Sequence, residues 1–249
     1  MPAGTHFFNS VAKNIINGKI YLVPSPIEDH YFADYLPIEI THVLNLVDYF
    51  IVEDLKTARR FIKKMNKQKN IDACLFHELN EHTDAKDLAV FIQPVLDGRS
   101  AALISDAGCP AIADPGQNFI ALAHTQNIEV VPLVGPSSIV LALMASGLNG
   151  QQFKFNGYLP KEQKQRRQKL KELETDAAKT HTTHVFIETP YRNNHLLADM
   201  LNVLHTGTKI CIASEIKSEQ QLIRTKTVKD WKTTVPDLDK RNTVFLIGK

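Results

Sequence analysis

Short apolar segments alternate with helical segments through the first 135 residues, and no other feature of the sequence restricts the possible folds as strongly. The strand-like segments are residues 19–23, 49–53, 74–78, 101–105 and 129–134. Between them, apolar residues recur at spacings of three and four, as from Leu55 to Met65 and from Leu88 to Leu96, which is the pattern of one buried helix face. Apolar strands separated by helices favour a mostly parallel sheet with helices on either side.

The remainder of the chain contains five further strand-like segments, and the later ones follow each other without long helices between them. These segments are residues 153–159, 184–188, 209–216, 221–228 and 243–248. Gly147, Asn149 and Gly150 interrupt the chain between the two sets. We therefore predict an α/β protein with an N-terminal extension, an N-terminal α/β domain on a mostly parallel sheet and a C-terminal α/β domain on a mixed sheet. The predicted bounds are residues 1–18, 19–150 and 151–249.

Composition and the N-terminal sequence exclude several other classes of protein. No apolar run approaches the ~18 uncharged residues needed to cross a bilayer, and the N-terminus lacks the basic-then-apolar order of a secretory signal. The three cysteines, Cys74, Cys109 and Cys211, are odd in number and far apart, which fits neither a disulfide framework nor a zinc site. The sequence predicts a globular, cytoplasmic protein without a membrane or metal partner.

Two glycine-containing loops follow strands of the predicted parallel sheet. One lies in LISDAGCPAIADPG (103–116), and in the other Gly135 precedes an apolar helix that Ser137 or Ser138 would cap. Ligands of open parallel sheets bind beyond the carboxyl ends of the strands, where glycine allows close approach and a helix start offers unpaired N–H groups. Each loop alone is more typical of a tight strand-to-helix turn, whereas the two together favour a ligand site.

Other motifs narrow the choice of ligand only in part. The dinucleotide fingerprint GxGxxG and the phosphate-binding loop GxxxxGK[ST] are both absent. The histidine-containing stretches HELNEH (77–82) and HTTH (181–184) do not match a metal motif, and we expect the second to be a solvated loop. The segment 161–172 holds six basic and two acidic residues, so it is either a solvated helix face or a contact for RNA phosphates.

Seven segments occur in the order and spacing of one known family. They are GKIYLVPSPI, VEDLKTARRFI, FHELNE, LISDAGCPAIADPG, VVPLVGPSSIVLALMASGL, FNGYLPKEQKQRRQKLKEL and FIETPYR. On these segments the chain resembles the ribosomal small-subunit RNA methyltransferase I family, within the tetrapyrrole methylase superfamily, over about residues 18–249. The resemblance implies an S-adenosylmethionine-dependent methyltransferase of two α/β domains, typically a homodimer, which requires no metal. It further implies that the methyl acceptor is a ribose 2′-hydroxyl of a cytidine in the rRNA of the small ribosomal subunit.

The resemblance also implies which residues bind the cofactor and the RNA. The implied cofactor-binding residues are Pro24, Pro26, Ile104, Ser105, Asp106, Ala107, Gly108, Cys109, Gly135, Ser137, Ser138 and Glu188. Acidic groups, backbone carbonyls, and serine or N–H donors suit the sulfonium, ammonium and carboxylate groups of S-adenosylmethionine. The implied RNA-binding residues are Arg166, Arg167 and Lys169 of the basic segment.

The chain departs from the family pattern near the start of the matched region. Glu28 and Asp29 stand where the family has Gly and Asn, so the segment 28–37 is altered, and Cys109 replaces a common Thr. The altered segment borders the predicted substrate side. The chain is therefore identified as a divergent member of the family.

The sequence alone does not identify the catalytic base. A ribose hydroxyl is a weak nucleophile near neutral pH, so a general base would add roughly 10²- to 10⁴-fold in rate. Five candidates lie at or just beyond predicted strand ends: Glu53, Asp54, His77, Glu78 and Glu188. A carboxylate in such a position is more often a helix cap or an ion-pair partner. Two other functions also stay open: a methyltransferase for a tetrapyrrole or another small molecule, and a non-catalytic cofactor-binding protein.

Overall fold

The computed structural model describes residues 18–28 and 35–249. Apart from Gly18, the predicted N-terminal extension lies outside the described residues, and so does most of the altered segment 28–37. The described chain forms two compact units, each assembled from non-contiguous segments. Of the described residues, the first unit draws on 18–23, Glu39–Asp106 and Asp114–Leu133, and the second on 24–28, 35–38, Ala107–Ala113 and Val134–Lys249.

A five-stranded, fully parallel sheet forms the centre of the first unit. Its strands are β1 (Lys19–Val23), β2 (Tyr49–Val52), β3 (Leu75–Glu78), β4 (Ala101–Ile104) and β5 (Glu129–Pro132). They are arranged in the order β3-β2-β4-β1-β5, so β4 and β5 flank β1. The parallel sheet predicted from apolar strands and intervening helices is confirmed.

Helices connect consecutive strands of this sheet. They are α1 (Ile38–Leu46), α2 (Leu55–Met65), α3 (Ala85–Leu96) and α4 (Gly116–Thr125). Ile51 and Leu103 of the sheet share one buried cluster with Ile92 of α3 and Phe119 of α4. Phe61 and Ile62 of α2 are buried as well, so both helices predicted from spacing bury the apolar faces that it indicated.

The second unit is built on a mixed five-stranded sheet. Its strands are β6 (Phe153–Tyr158), β7 (Thr183–Ile187), β8 (Lys209–Ser214), β9 (Leu222–Thr227) and β10 (Thr243–Gly248). The order is β6-β7-β10-β8-β9, in which β6 and β7 are parallel and the other neighbours are antiparallel. The α-helices of this unit are α5 (Ser138–Ser146), α6 (Gln163–Thr180), α7 (Asn193–Val203) and α8 (Val228–Trp231). The predicted mixed sheet is confirmed.

Alternate residues of this sheet pack against helices on its two faces. Leu170 of α6 and Leu197 of α7 share a buried cluster with Phe245, whereas Leu143 of α5 shares another with Leu246. Helix α5 thus packs in the second unit, although the sequence analysis grouped residues 138–146 with the first domain. Because α5 is apolar along its whole length, its sequence gives no direction in which it should be buried.

One histidine prediction is wrong. His184 was expected in a solvated loop, but it lies inside β7 and is buried, with its Nε2 2.8 Å from Oδ2 of Asp176. Burial lowers the pKa of His184, although Asp176 opposes this effect. The strand predicted over residues 184–188 already contained this position, so the error concerned only the solvation assigned to the histidine.

Candidate functional site

In the first unit, acidic residues follow two neighbouring strands at the carboxyl edge of the parallel sheet. Val52 of β2 pairs with Ile104 of β4, and Glu53 and Asp106 follow these two strands. The N–H of Asp106 donates a hydrogen bond of 3.0 Å to Oε2 of Glu53, and the N–H of Glu53 donates one of 3.2 Å to the carbonyl of Ile104. Ser105, between Ile104 and Asp106, is buried. The loop that follows β4 is therefore fixed by a side chain from β2.

The carboxylates at this edge destabilise each other's ionised forms. Burial raises the pKa of Glu53; the hydrogen bond from Asp106 opposes this rise, and the charges of Asp106, Asp114 and Asp54 add to it. Burial also raises the pKa of Asp106, as do the charges of Asp54 and Asp114. A positive group placed here would stabilise the ionised forms of these carboxylates. The arrangement thus suits a cationic ligand.

Three of the five candidate bases have structural roles in the first unit. Asp54 caps α2 by accepting from the N–H of Thr57 at 2.7 Å, and Glu78 accepts from the N–H of Leu55 at 2.9 Å in the same first turn. His77 stacks on Phe91 with ring centroids 4.4 Å apart, and burial lowers its pKa. These contacts argue against a role in proton transfer for all three.

In the second unit, backbone contacts join the segments that follow β1, β4 and β5. Ser25 and Gly108 exchange two backbone hydrogen bonds, of 3.0 and 3.2 Å, between Pro24 and Pro26 on one side and Ala107 on the other. Gly108 has a φ of +75°, which favours glycine. The Sγ of Cys109 lies 3.3 Å from the carbonyl oxygen of Pro136. Burial raises the pKa of the Cys109 thiol, so it stays protonated near neutral pH and is a poor nucleophile.

The segment after β5 requires glycine for a steric reason. A Cβ on Gly135 would lie 2.2 Å from Cβ of Pro24. Two residues later, Ser137 caps α5 by accepting from the N–H of Val140 at 3.4 Å, and Ser138 is the first residue of the helix. Ser137 is therefore the cap, which the sequence had left open between the two serines.

The change Gly135→Ala tests the close approach to Pro24. We expect it to lower the free energy of unfolding by about 1–3 kcal/mol, because the new Cβ must displace a rigid proline ring. Urea denaturation measures this change. The matched control is Gly150→Ala, where an added Cβ meets no atom within 4 Å. Equal stabilities of the two variants would contradict the steric argument.

Glu188 follows β7 and is buried in the second unit. Its Oε1 accepts from Nη2 of Arg192 at 2.5 Å, from Nε of Arg192 at 3.0 Å and from the N–H of Thr189 at 2.6 Å. Its Oε2 is also buried and has no hydrogen-bond partner among the described residues. One oxygen of Glu188 is therefore held by an ion pair, and the other can accept a hydrogen bond from a ligand.

The predicted RNA-binding residues lie on α6 in different environments. Arg166 is buried and donates to Oδ2 of Asp199 at 2.6 and 2.9 Å, while Nε of Arg167 donates to Oδ1 at 2.7 Å. Burial and pairing argue against the predicted RNA contact of Arg166. Because two guanidinium groups share one carboxylate, one positive charge stays uncompensated, and Arg167, 41% exposed, can present it to solvent. Lys169 is partly exposed and lies 3.5 Å from Glu172.

Sequence analysis missed several residues that support the site. Arg192 stands four positions after Glu188, a separation at which oppositely charged residues commonly pair, so this partner could have been inferred. Asp199 and Asp114 carried no such signal, because each acts on residues distant in sequence.

Two kinds of feature are absent from the part of the chain that the structure describes. No helix within residues 18–28 and 35–249 is both long and apolar enough to span a membrane. The same part of the chain contains no group of three or more His, Cys, Asp or Glu residues placed to hold a metal ion.

Comparison with known proteins gives consistent matches over most of the chain. The family described as Tetrapyrrole (Corrin/Porphyrin) Methylases matches residues 19–231. The Ribosomal RNA small subunit methyltransferase I of Vibrio cholerae is 33% identical over 231 residues, which are 92% of this chain and 76% of that protein. The protein of the same name from Halalkalibacterium halodurans is 35% identical over 187 residues, covering 75% and 61% of the two chains.

A solved structure supports the fold independently. The crystal structure of the methyltransferase CobJ superposes with a TM-score of 0.63 over 93% of this chain and 94% of that chain, at 16% identity. At this identity the likeness concerns the fold alone.

Proposed function

Because the chain belongs to the tetrapyrrole methylase family and, within it, to the ribosomal RNA small subunit methyltransferase I family, we propose that it methylates RNA of the small ribosomal subunit. The protein is an S-adenosylmethionine-dependent methyltransferase, and the proposed acceptor is a ribose 2′-hydroxyl of a cytidine. The observation that carries this proposal is the 33% identity over 92% of the chain. We also propose that the protein is cytoplasmic and forms a homodimer. Analytical ultracentrifugation tests the homodimer.

The residues present fit the cofactor. Its sulfonium and ammonium groups are positive, and Asp106 is a carboxylate whose charge a cation would stabilise. The buried Oε2 of Glu188 offers a further acceptor. We assign cofactor contacts to the loop Ile104–Cys109, to Gly135, Ser137 and Ser138, to Pro24 and Pro26, and to Glu188. When bound, the cofactor supplies an electrophilic methyl group.

Among the five candidate bases, Glu53 is the residue whose environment fits proton transfer best. Its pKa is raised by burial, which makes the carboxylate a stronger proton acceptor, and it is not a helix cap. Glu188 is held by Arg192, and the other three candidates have the structural contacts described above. We propose that Glu53 accepts the proton of the substrate hydroxyl.

The RNA surface in this proposal differs from the one expected from sequence. Arg167 and Lys169 remain in it, because both are partly exposed and α6 carries excess positive charge. Arg166 is better described as a buried residue that orients Asp199 and, through it, Arg167. Binding to RNA is therefore expected to weaken with salt, as phosphate contacts do.

Transfer of labelled methyl from S-adenosylmethionine to unmethylated small ribosomal subunits tests the function. Label in the rRNA supports the proposal and allows the nucleotide to be mapped. Calorimetric binding of the cofactor without RNA labelling would overturn the RNA acceptor and favour a small-molecule substrate. Absence of both would overturn the assigned cofactor site together with the RNA acceptor.

A further inference from the structure

A β-bulge in edge strand β6 places an aromatic side chain in solvent. The register pairs Phe155 with Val185 and then Tyr158 with Ile187, so β6 has one extra residue between these pairs. Gly157, within the bulge, has a φ of +62° and meets no atom within 4 Å of an added Cβ, so it is required for its backbone conformation. A shift of one residue moves side chains to the opposite face of a sheet.

The bulge decides which of two neighbouring residues is buried. Leu159 joins the buried cluster formed with α6 and α7, whereas Tyr158 is 57% exposed. In a strand without the bulge, Tyr158 would face the core and Leu159 would face solvent. The bulge therefore exposes Tyr158 while keeping a leucine in the core.

A second exposed tyrosine lies at the same edge of the sheet. Because β6 and β7 are parallel, their carboxyl ends lie side by side, and Tyr158 pairs with Ile187 next to Glu188. The chain then turns through Pro190–Arg192, where Tyr191 is 72% exposed. The ion pair between Arg192 and Glu188 fixes this turn.

Positive side chains accompany the two tyrosines. Lys161 follows Tyr158 by three residues and is exposed. The N–H of Lys240, another exposed lysine, donates to the carbonyl of Pro190 at 3.2 Å, which places it beside the second tyrosine. Exposed aromatic rings among positive charges are the combination that binds single-stranded nucleic acid, in which rings stack on bases and cations contact phosphates.

We propose that Tyr158 and Tyr191 form a stacking platform for unpaired bases of the RNA substrate. The inference rests on the proposed function and adds to it that the substrate is recognised as single-stranded RNA. Stacking requires bases that are free of a duplex, so this surface selects unpaired nucleotides over a double helix.

The test is the affinity of the full chain for a short unstructured RNA oligonucleotide, measured by fluorescence anisotropy. We expect Tyr158→Ala and Tyr191→Ala each to weaken binding by about 5- to 150-fold, while the phenylalanine variants retain it because they keep a ring. The dependence of affinity on salt should keep its slope, because no phosphate contact is removed. The matched control is Phe153→Ala, an exposed aromatic residue at the opposite end of β6.

Two further measurements distinguish failure of the stacking platform from failure of the proposed function. Calorimetric affinity for S-adenosylmethionine should stay unchanged in the alanine variants; an equal loss would make the tyrosines cofactor contacts and overturn the proposal. Unaltered RNA affinity in both alanine variants would overturn the stacking platform and leave the proposed function standing. If the unaltered protein neither binds RNA nor methylates small subunits, the proposed function fails and the platform fails with it.

Discussion

Replacing Glu53 with glutamine is expected to lower kcat for methyl transfer to small ribosomal subunits by about 10²- to 10⁴-fold. Glutamine keeps an oxygen that can accept the hydrogen bond of 3.0 Å from the N–H of Asp106, so the loop after β4 should retain its position. What is lost is the group that accepts the substrate proton. Single-turnover rates with labelled S-adenosylmethionine measure the effect on the chemical step.

The pH dependence separates proton transfer from positioning. A base acts in its ionised form, and burial raises the pKa of Glu53 in the protein without cofactor, so kcat/KM for S-adenosylmethionine should rise with pH through a value above that of an ordinary glutamate. Glu53→Gln should remove this rise. In Glu53→Ala the hydrogen bond to Asp106 is also lost, and cofactor affinity should fall as well. A glutamine variant that keeps both the rate and the pH profile would rule out Glu53 as the base.

The fold was predictable because its strands and helices carry strong periodic signals. The strands are apolar and bounded by turn residues, and α2 and α3 show the spacing of one buried face. The loop positions followed from the rule that ligands bind at the carboxyl ends of parallel strands. Helix α5 is the informative exception, because an evenly apolar helix gives no preferred direction of packing.

The burial and the pKa values of the charged residues were less predictable, because tertiary contacts determine both. Arg166 and Arg167 are adjacent in sequence, yet one is buried and the other partly exposed, since the first faces Asp199 from inside the unit. Glu53 and Asp54 are likewise adjacent, but the pKa of Asp54 is lowered by the N–H of Thr57, whereas that of Glu53 is raised by burial. Sequence identifies such residues as candidates, and only their neighbours assign their roles.

Removal of Asp199 is expected to have the largest effect on stability. The Asp199 side chain is 1% exposed and binds Arg166 and Arg167, so Asp199→Ala leaves a buried guanidinium group without its partner. Breaking a buried ion pair in this way typically destabilises a protein by about 3–5 kcal/mol. Trp231, the one tryptophan of the chain, is buried in the second unit. Its fluorescence during urea denaturation therefore reports the unfolding of that unit.

The matched control is Glu172→Ala, which removes a solvent-exposed partner of Lys169 within the same unit. Because exposed ion pairs contribute about 0–1 kcal/mol, this variant should unfold almost like the unaltered protein. Similar losses of unfolding free energy in the two variants would show that burial does not increase the contribution of the Asp199 ion pair to stability.

The direction of the pH dependence follows from the same contacts. Burial alone would raise the pKa of Asp199, but hydrogen bonds from Arg167 and Arg166 outweigh it and lower the pKa. The ionised carboxylate therefore stabilises the fold above the pKa it has in the unfolded chain, and this contribution is lost as the pH falls through the lower pKa of the folded state. The stability difference between the unaltered protein and Asp199→Ala should accordingly be full near neutral pH and shrink in acid.

The double variant Arg166→Met with Asp199→Leu distinguishes a role of the buried ion pair in RNA binding from a role in folding alone. Apolar residues of similar size can replace a buried ion pair without loss of stability, so this variant should recover much of what Asp199→Ala loses. It also frees Arg167 from the carboxylate that orients it. If the pair serves RNA binding through Arg167, the double variant will be stable and yet bind RNA more weakly. Full RNA affinity in a stable double variant would show that the pair acts in folding alone.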